Sequence, residues 1–245
     1  MEQEIRQLTE ILSGEKVSNL VVIAARPSIG KTLLSLHLTH HFIMEGKATA
    51  YFSLKLPNNR LMDYLLSINT NIEVEKIKQG RLSAKELSKL TEASSNLSRL
   101  PLSIHDGNTF SLKTIKEKAL ELKNTTGLDI LFIDYLQLLR GSAKCNSRQE
   151  EITSILSELR AIAEELTVSI ILLSQLSRSV EEKADKRPEV NDLLEIGQVE
   201  PYADKIIFLY SDAYYSSKPS ETSSTEIIIA KDKNGKPGKI IIDDL

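Results

Sequence analysis

The stretch VVIAARPSIGKTLLS, residues 21–35, constrains the fold of this chain more than any other segment. The apolar run over 19–25 reads as a buried strand, and a helix is predicted over 31–44. A loop between a strand and a helix directs backbone N–H groups and the positive end of the helix at an anion. The residues fit G-x-x-x-x-G-K-[ST], with Ala25 at the first glycine and Gly30, Lys31 and Thr32 intact. Ala25, Arg26, Pro27, Ser28, Ile29 and Gly30 are then the expected phosphate cradle. In that motif Lys31 reaches the terminal phosphates and Thr32 ligates Mg²⁺. The bland alternative is a chance GKT in a turn, and the strand before it and the helix after it count against that.

The remaining pattern alternates strands and helices. Strands are predicted over 48–54, 101–105, 129–134, 168–175 and 204–210, rich in β-branched and aromatic residues. Helices are predicted over 60–68, with Asn58 or Asn59 as cap, and over 83–97, with Ser83 as N-cap. Leu112, Ile115, Ala119 and Leu122 share one face of a further helix. The clearest helix follows Gln149, where Ile152, Ile155, Leu156, Leu159, Ile162, Ala163 and Leu166 keep i, i+3, i+4, i+7 spacing. EIIIAK and KIIID flank Asn234-Gly235, a hairpin dipeptide. This order implies an α/β fold: a mostly parallel central sheet with helices on both faces and a C-terminal antiparallel hairpin. No repeat is visible, and the long unstructured stretches fall at about 135–148, 174–203 and 211–224.

A phosphate cradle needs an acid at the end of a buried strand to hold the metal. Asp134, closing DILFID, fits that place, with an ordinary turn aspartate as the alternative. Gln175, ending the next apolar strand beside Ser174, stands where a γ-phosphate sensor is expected. In AYFSLKLP, Lys55 taken alone reads as a surface lysine at a strand exit.

Composition narrows the setting. A chain of 245 residues with 41% hydrophobic and 27% charged residues suits one large soluble domain. The lone cysteine, Cys145, precludes an intrachain disulfide and fits a reducing compartment. No apolar run approaches a membrane helix and no leader is evident, so no membrane contact and a cytoplasmic location are expected. A net charge of −3 argues against a broadly basic nucleic-acid coat. His37, His40 and His41 have a spacing that could hold Zn²⁺, but no Cys or carboxylate ligand is near in sequence. Tyr214-Tyr215 could stack on bases or simply pack.

Taken together the motifs resemble the C-terminal RecA-like ATPase domain of the DnaB family, bacterial hexameric replicative DNA helicases. The strings carrying the resemblance run from about Asn19 to Asp243: AARPSIGKT, FSLKLP, LDILFIDYLQLL, SRQEEI, LSQLSRSVEEKADKRP, IIFLYSDAYY and EIIIAKDKNGKPG. The family's loop commonly carries the alanine found at Ala25. The resemblance implies a RecA-like P-loop NTPase that works as a ring on single-stranded DNA in DNA replication. MgATP would be held by Lys31, Thr32 and Asp134 and sensed by Gln175, with Lys231 reaching a neighbouring subunit's γ-phosphate. Loop residues between 176 and 200 would face the channel, with Arg178, Lys186, Arg187, Glu195 and Gly197 as DNA-loop candidates. Residues 1–18 are expected to be a short linker remnant, amphipathic where helical, and residues 19–245 the ATPase domain, without the family's N-terminal collar.

Three positions depart from the family's strings. FSLEMP carries a glutamate that positions the attacking water, and Lys55 stands in its place. K-Q-R-N-G carries a second trans-acting group, an arginine, where this chain has Lys233. DLRESG carries an arginine suited to DNA phosphate, where this chain has Leu194 in DLLEIG. A lysine neither orients water nor accepts its proton, and an arginine finger is worth roughly 10³–10⁵ in rate in other NTPases. The expectation is a domain that binds ATP and hydrolyses it poorly, in a homo-hexamer or a mixed ring with an active DnaB-type helicase. The alternatives are an active helicase using a substitute acid (Asp63, Glu150 or Glu151) and a non-catalytic assembly or regulatory module with structural nucleotide.

Overall fold

The computed structural model describes residues 1–13, 19–107, 110–141, 145–193, 198–215 and 224–243. Eight strands form one sheet: β1 (Leu20–Ala25), β2 (Thr49–Ser53), β3 (Leu102–Asp106), β4 (Ile130–Asp134), β5 (Ser169–Gln175), β6 (Lys205–Tyr210), β7 (Ser224–Asp232) and β8 (Gly238–Asp243). Their spatial order is β3-β2-β4-β5-β1-β6-β7-β8. The pairs from β3 through β6 are parallel, and β6–β7 and β7–β8 are antiparallel. The sheet is thus the one predicted, parallel with an antiparallel hairpin at one edge.

Both faces of the sheet are covered, which is why its central strands are apolar at every position rather than at alternate ones. On one face Leu20, Val22 and Ala24 pack with Ile152, Ile155, Leu159 and Ile162 of α7 (Arg148–Leu166) and with Ile115 of α6 (Leu112–Thr125). On the other, Val21, Ile23 and Ala25 meet Leu34, Leu38 and Phe42 of α2 (Lys31–Met44) and Leu61 and Leu65 of α3 (Asn58–Thr70). Alternation along β1 thus divides its side chains between two cores. The segment expected as a linker remnant contains α1 (Glu2–Ser13), whose Ile5, Leu8 and Leu12 are buried in that second core.

Three local features differ from the sequence expectation. The helix predicted over 60–68 begins at Asn58, with Pro57 at the cap position and no side-chain cap. Neither Asn58 nor Asn59 serves, because Asp106 at the end of β3 accepts from the Asn58 N–H at 2.8 Å and supplies the acceptor from outside the helix. Asn234-Gly235 does not form a two-residue turn: β7 ends at Asp232 and β8 starts at Gly238, and Asp232 Oδ1 accepts from the Asn234 N–H at 3.1 Å. The short α4 (Val74–Gln79) buries no residue, so no apolar period announced it. By contrast Ser83 caps α5 (Ala84–Leu97) in a full capping box with Glu86.

Candidate nucleotide site

The parallel strands place their carboxyl ends along one edge of the sheet, where ligands of open α/β folds gather. The β1 exit opens into the loop 26–30, with Ser28 (φ 65°) and Gly30 (φ 102°) in left-handed backbone that turns the chain onto α2. Gly30 offers no side-chain cap, so the first N–H groups of α2 face the cavity uncapped.

A cavity of about 310 Å³ lies against this loop. Pro27, Ser28, Gly30, Lys31, Thr32, Lys55, Asp134 and Gln175 line it, drawn from the exits of β1, β2, β4 and β5. Tyr64, Tyr135 and three leucines supply an apolar side that no sequence motif indicated. Ala25 and Ile29 are buried beneath the loop. The Arg26 side chain is turned away from the cavity: its guanidinium donates to Glu181 Oε1 at 2.8 Å and to the Leu176 carbonyl at 2.7 Å. Arg26 therefore contributes backbone to the loop and ties the loop to the segment after β5.

Lys31 Nζ donates to the carbonyls of Ala25 and Arg26 at 2.8 and 3.0 Å. Burial pushes its ammonium down to about 8; Asp134 opposes that shift, and Lys55 and Arg26 add to it. Thr32 Oγ1 donates to Asp134 Oδ2 at 2.7 Å. Burial raises the Asp134 carboxyl, against the Thr32 hydrogen bond and the Lys55 and Lys31 charges. Tyr51 OH stands 3.4 Å from the same carboxylate oxygen and 2.8 Å from Ser35 Oγ. These two residues fasten Asp134 from beneath. A tyrosine inside an apolar strand gave no sequence signal of that role.

A hydroxyl and a carboxylate converging at this spacing form an oxygen-only donor set, which suits Mg²⁺ and not a soft metal. Lys55 is exposed on the cavity rim, and the backbone beside it is held by the Leu54 N–H donating to the Asp134 carbonyl at 2.7 Å. Among the described lining residues Asp134 is the one acid. Asp63, Glu150 and Glu151 do not line the cavity, and Glu151 is bound to Arg148 and the Gly141 N–H.

The remaining expected residues lie elsewhere. Lys231 pairs with Ile206 across β6–β7, and Ile206 pairs with Val22 across β6–β1. Lys231 and Lys233 thus sit toward the amino end of β1, away from the loop that follows Ala25. Lys231 Nζ donates to the Glu200 carbonyl at 2.6 Å, and Lys233 Nζ lies 3.7 Å from Asp204 Oδ1. Of the DNA-loop candidates, Arg178 is exposed. Arg187 forks onto Glu226 at 2.9 and 2.8 Å and covers the Tyr210 ring, while Lys186 lies over the Tyr215 ring. Glu195 and Gly197, with Leu194, lie outside the described residues. His40 bonds Asn69 and His41 pairs with Glu45, and the described residues hold no cluster able to bind a metal through His, Cys, Asp or Glu.

The geometry and the sequence strings agree with the profile of the DnaB-like helicase C terminal domain, which matches residues 1–243. The chain belongs to that family. It is 39% identical over 236 residues to the replicative DNA helicase DnaB of Geobacillus stearothermophilus, covering 96% of this chain and 52% of that protein. It is 38% identical over 236 residues to the replicative DNA helicase DnaC of Bacillus subtilis, with the same coverage. The chain spans about half the length of these curated relatives. A solved structure of an isolated ATPase domain superposes with a TM-score of 0.90 at 35% identity, over 97% of this chain and 85% of that one. A DnaB-like replicative helicase described with its primase interactions superposes with a TM-score of 0.89 at 35% identity, over 96% and 57%. The RecA-like fold is common to the family's ATPase domains. No helix among the described residues is long and apolar enough to cross a membrane.

Proposed function

We propose that this chain is the ATPase domain of a DnaB-type ring that holds MgATP and hydrolyses it slowly. The observation that carries the proposal is Lys55 on the rim of a cavity whose one described lining acid is Asp134. Asp134 and Thr32 would hold Mg²⁺, which when bound neutralises phosphate charge. Lys31 would exchange its two loop carbonyls for phosphate oxygens, and the α2 N-terminus would take the remaining negative charge. Lys55 adds a further cation near the γ-phosphate, which favours bound ATP. It leaves the attacking water without a carboxylate to orient it or take its proton.

The positions of Lys231 and Lys233 support a ring. On strand geometry they stand roughly 10 Å along the sheet and two strand spacings across it from their own phosphate loop. A lysine side chain does not span that gap, so these groups are placed to serve a neighbouring copy. Single-stranded DNA is the substrate class that the family's helicases suggest, with Arg178 as the described loop cation open to solvent.

The test is ATP turnover with and without single-stranded DNA, comparing the natural chain with Lys55→Glu. The expected result is turnover well below the roughly 1 s⁻¹ floor of ordinary enzymes in the natural chain, raised at least tenfold by the glutamate. Turnover above that floor by the natural chain overturns the slow-hydrolysis reading.

A further inference from the structure

Main-chain pairing between β4 and β5 stops at Ile133–Leu172, three residues short of Gln175. The gap is closed by a side chain. Gln137, in a short 3₁₀ turn (Leu136–Leu138) after β4, accepts from the Gln175 N–H through Oε1 at 3.1 Å. Its Nε2 donates to the Gln175 carbonyl at 2.8 Å and to Ser174 Oγ at 3.1 Å. Reversing the amide would face Nε2 with the Gln175 N–H and Oε1 with its carbonyl, so the network fixes the orientation of the Gln137 head.

On its other side Gln175 pairs with Ala25 of β1, and the Leu176 N–H donates to the Ala25 carbonyl at 3.0 Å. That same carbonyl accepts from Lys31 Nζ. The turn is itself held from α7, where Arg148 donates to the Gln137 and Leu139 carbonyls at 2.9 and 3.1 Å and pairs with Glu151. Gln175 is thereby clamped on both strand edges by its main chain, and its half-buried side chain lines the cavity.

We propose that Gln137 is a positioning residue: its amide sets the main chain of Gln175 so that the Gln175 side chain meets the terminal phosphate of a bound nucleoside triphosphate. The proposal rests on the nucleotide reading above. Gln137 itself is not a lining residue of the cavity, so it acts through Gln175. Removing its three hydrogen bonds frees the β5 exit while leaving Lys31, Thr32 and Asp134 in place. The α- and β-phosphate contacts are then retained, and discrimination of the γ-phosphate is lost.

The experiment measures Mg-nucleotide affinity by calorimetry, with ATP and ADP as separate probes, on the full chain. The variants are Gln137→Met, Gln175→Ala and the pair together. Methionine keeps the volume of glutamine without its hydrogen bonds, so packing is preserved. The expected result is that Gln137→Met lowers ATP affinity by roughly three- to tenfold and leaves ADP affinity within about twofold. Adding Gln137→Met to Gln175→Ala should then cause no further loss, as for two residues acting through one contact. Equal losses for ATP and ADP, an unchanged ratio, or full additivity would each overturn the positioning role. Failure of the unaltered chain to bind MgATP would overturn the nucleotide reading and this role with it, whereas intact binding with an unchanged ratio in the variant removes the positioning role alone.

Discussion

Thr32 Oγ1 donates to Asp134 Oδ2 at 2.7 Å, joining the first turn of α2 to the carboxyl end of β4. Neither residue is near the other in sequence; parallel β4 and β1, with β5 between them, bring them to one edge. If the pair holds Mg²⁺, Asp134→Asn keeps the shape and removes the charge. The Mg²⁺-dependent part of nucleotide affinity should fall about tenfold or more. Affinity measured in excess chelator should change little. Calorimetric titration of ATP with and without Mg²⁺ checks both halves, and equal losses in the two conditions would remove the metal role.

Lys31 supplies a pH signature. Burial pushes it down to about 8 in the ligand-free site, from an ordinary 10.5. A bound polyphosphate favours the charged form, so binding above about pH 8 takes up a proton, and affinity falls by up to roughly tenfold per pH unit there. Stability of the free chain runs the other way. Between about 8 and 10.5 the unfolded lysine holds its proton more tightly than the folded one, so stability rises with pH across that window. Titrations in two buffers of different ionisation enthalpy should show proton uptake at pH 9 and none at pH 7. Lys31→Met should abolish the difference.

His37 on α2 gives the opposite flank of the pH profile. Burial, helped by the neighbouring His40, pushes its imidazole down to about 4 from 6.5. The folded chain therefore keeps it neutral while the unfolded chain protonates it, and stability is lost as pH falls from 6.5 toward 4. With part of the ring still reached by water, the loss is on the order of 1 kcal/mol. Denaturant midpoints at pH 7 and pH 4.5 should converge in His37→Gln more than in the natural chain.

Much of this architecture was legible because the signals are local. Gly30-Lys31-Thr32, the buried run ending at Asp134 and the capping residues of α5 each declare themselves within a few residues. What stayed hidden depends on partners distant in sequence. Asp106 caps α3 from another strand, and Tyr51 reaches beneath the sheet edge to Asp134. Arg26 and Arg187 read as cations open to phosphate, but Glu181 and Glu226 hold them. Gln137 reads as one polar residue in an apolar string, because a side chain that completes a strand ladder has no periodicity of its own. Lys231 and Lys233 were legible as motif, while their distance from their own loop follows from the antiparallel run of β7.

That hairpin is anchored by Lys205 and Asp232, whose Nζ and Oδ1 lie 2.7 Å apart with the side chains 3% and 9% exposed. Asp232 stands between Lys231 and Lys233, so this buried pair sets where both lysines project. Lys205→Met would leave the carboxylate buried with the Asn234 N–H as its remaining described donor. An unpaired buried charge of this kind costs about 3–5 kcal/mol, read as a lowered urea midpoint. Replacing both members, Lys205→Met with Asp232→Leu, removes the charge together with its counter-ion and should recover most of that loss. If the double variant were as unstable as the single, the pair would be holding the hairpin by geometry that apolar packing cannot replace. Recovered stability with Lys233 still facing Asp204 would instead show that the strand pairing of β6 and β7 suffices to aim Lys233.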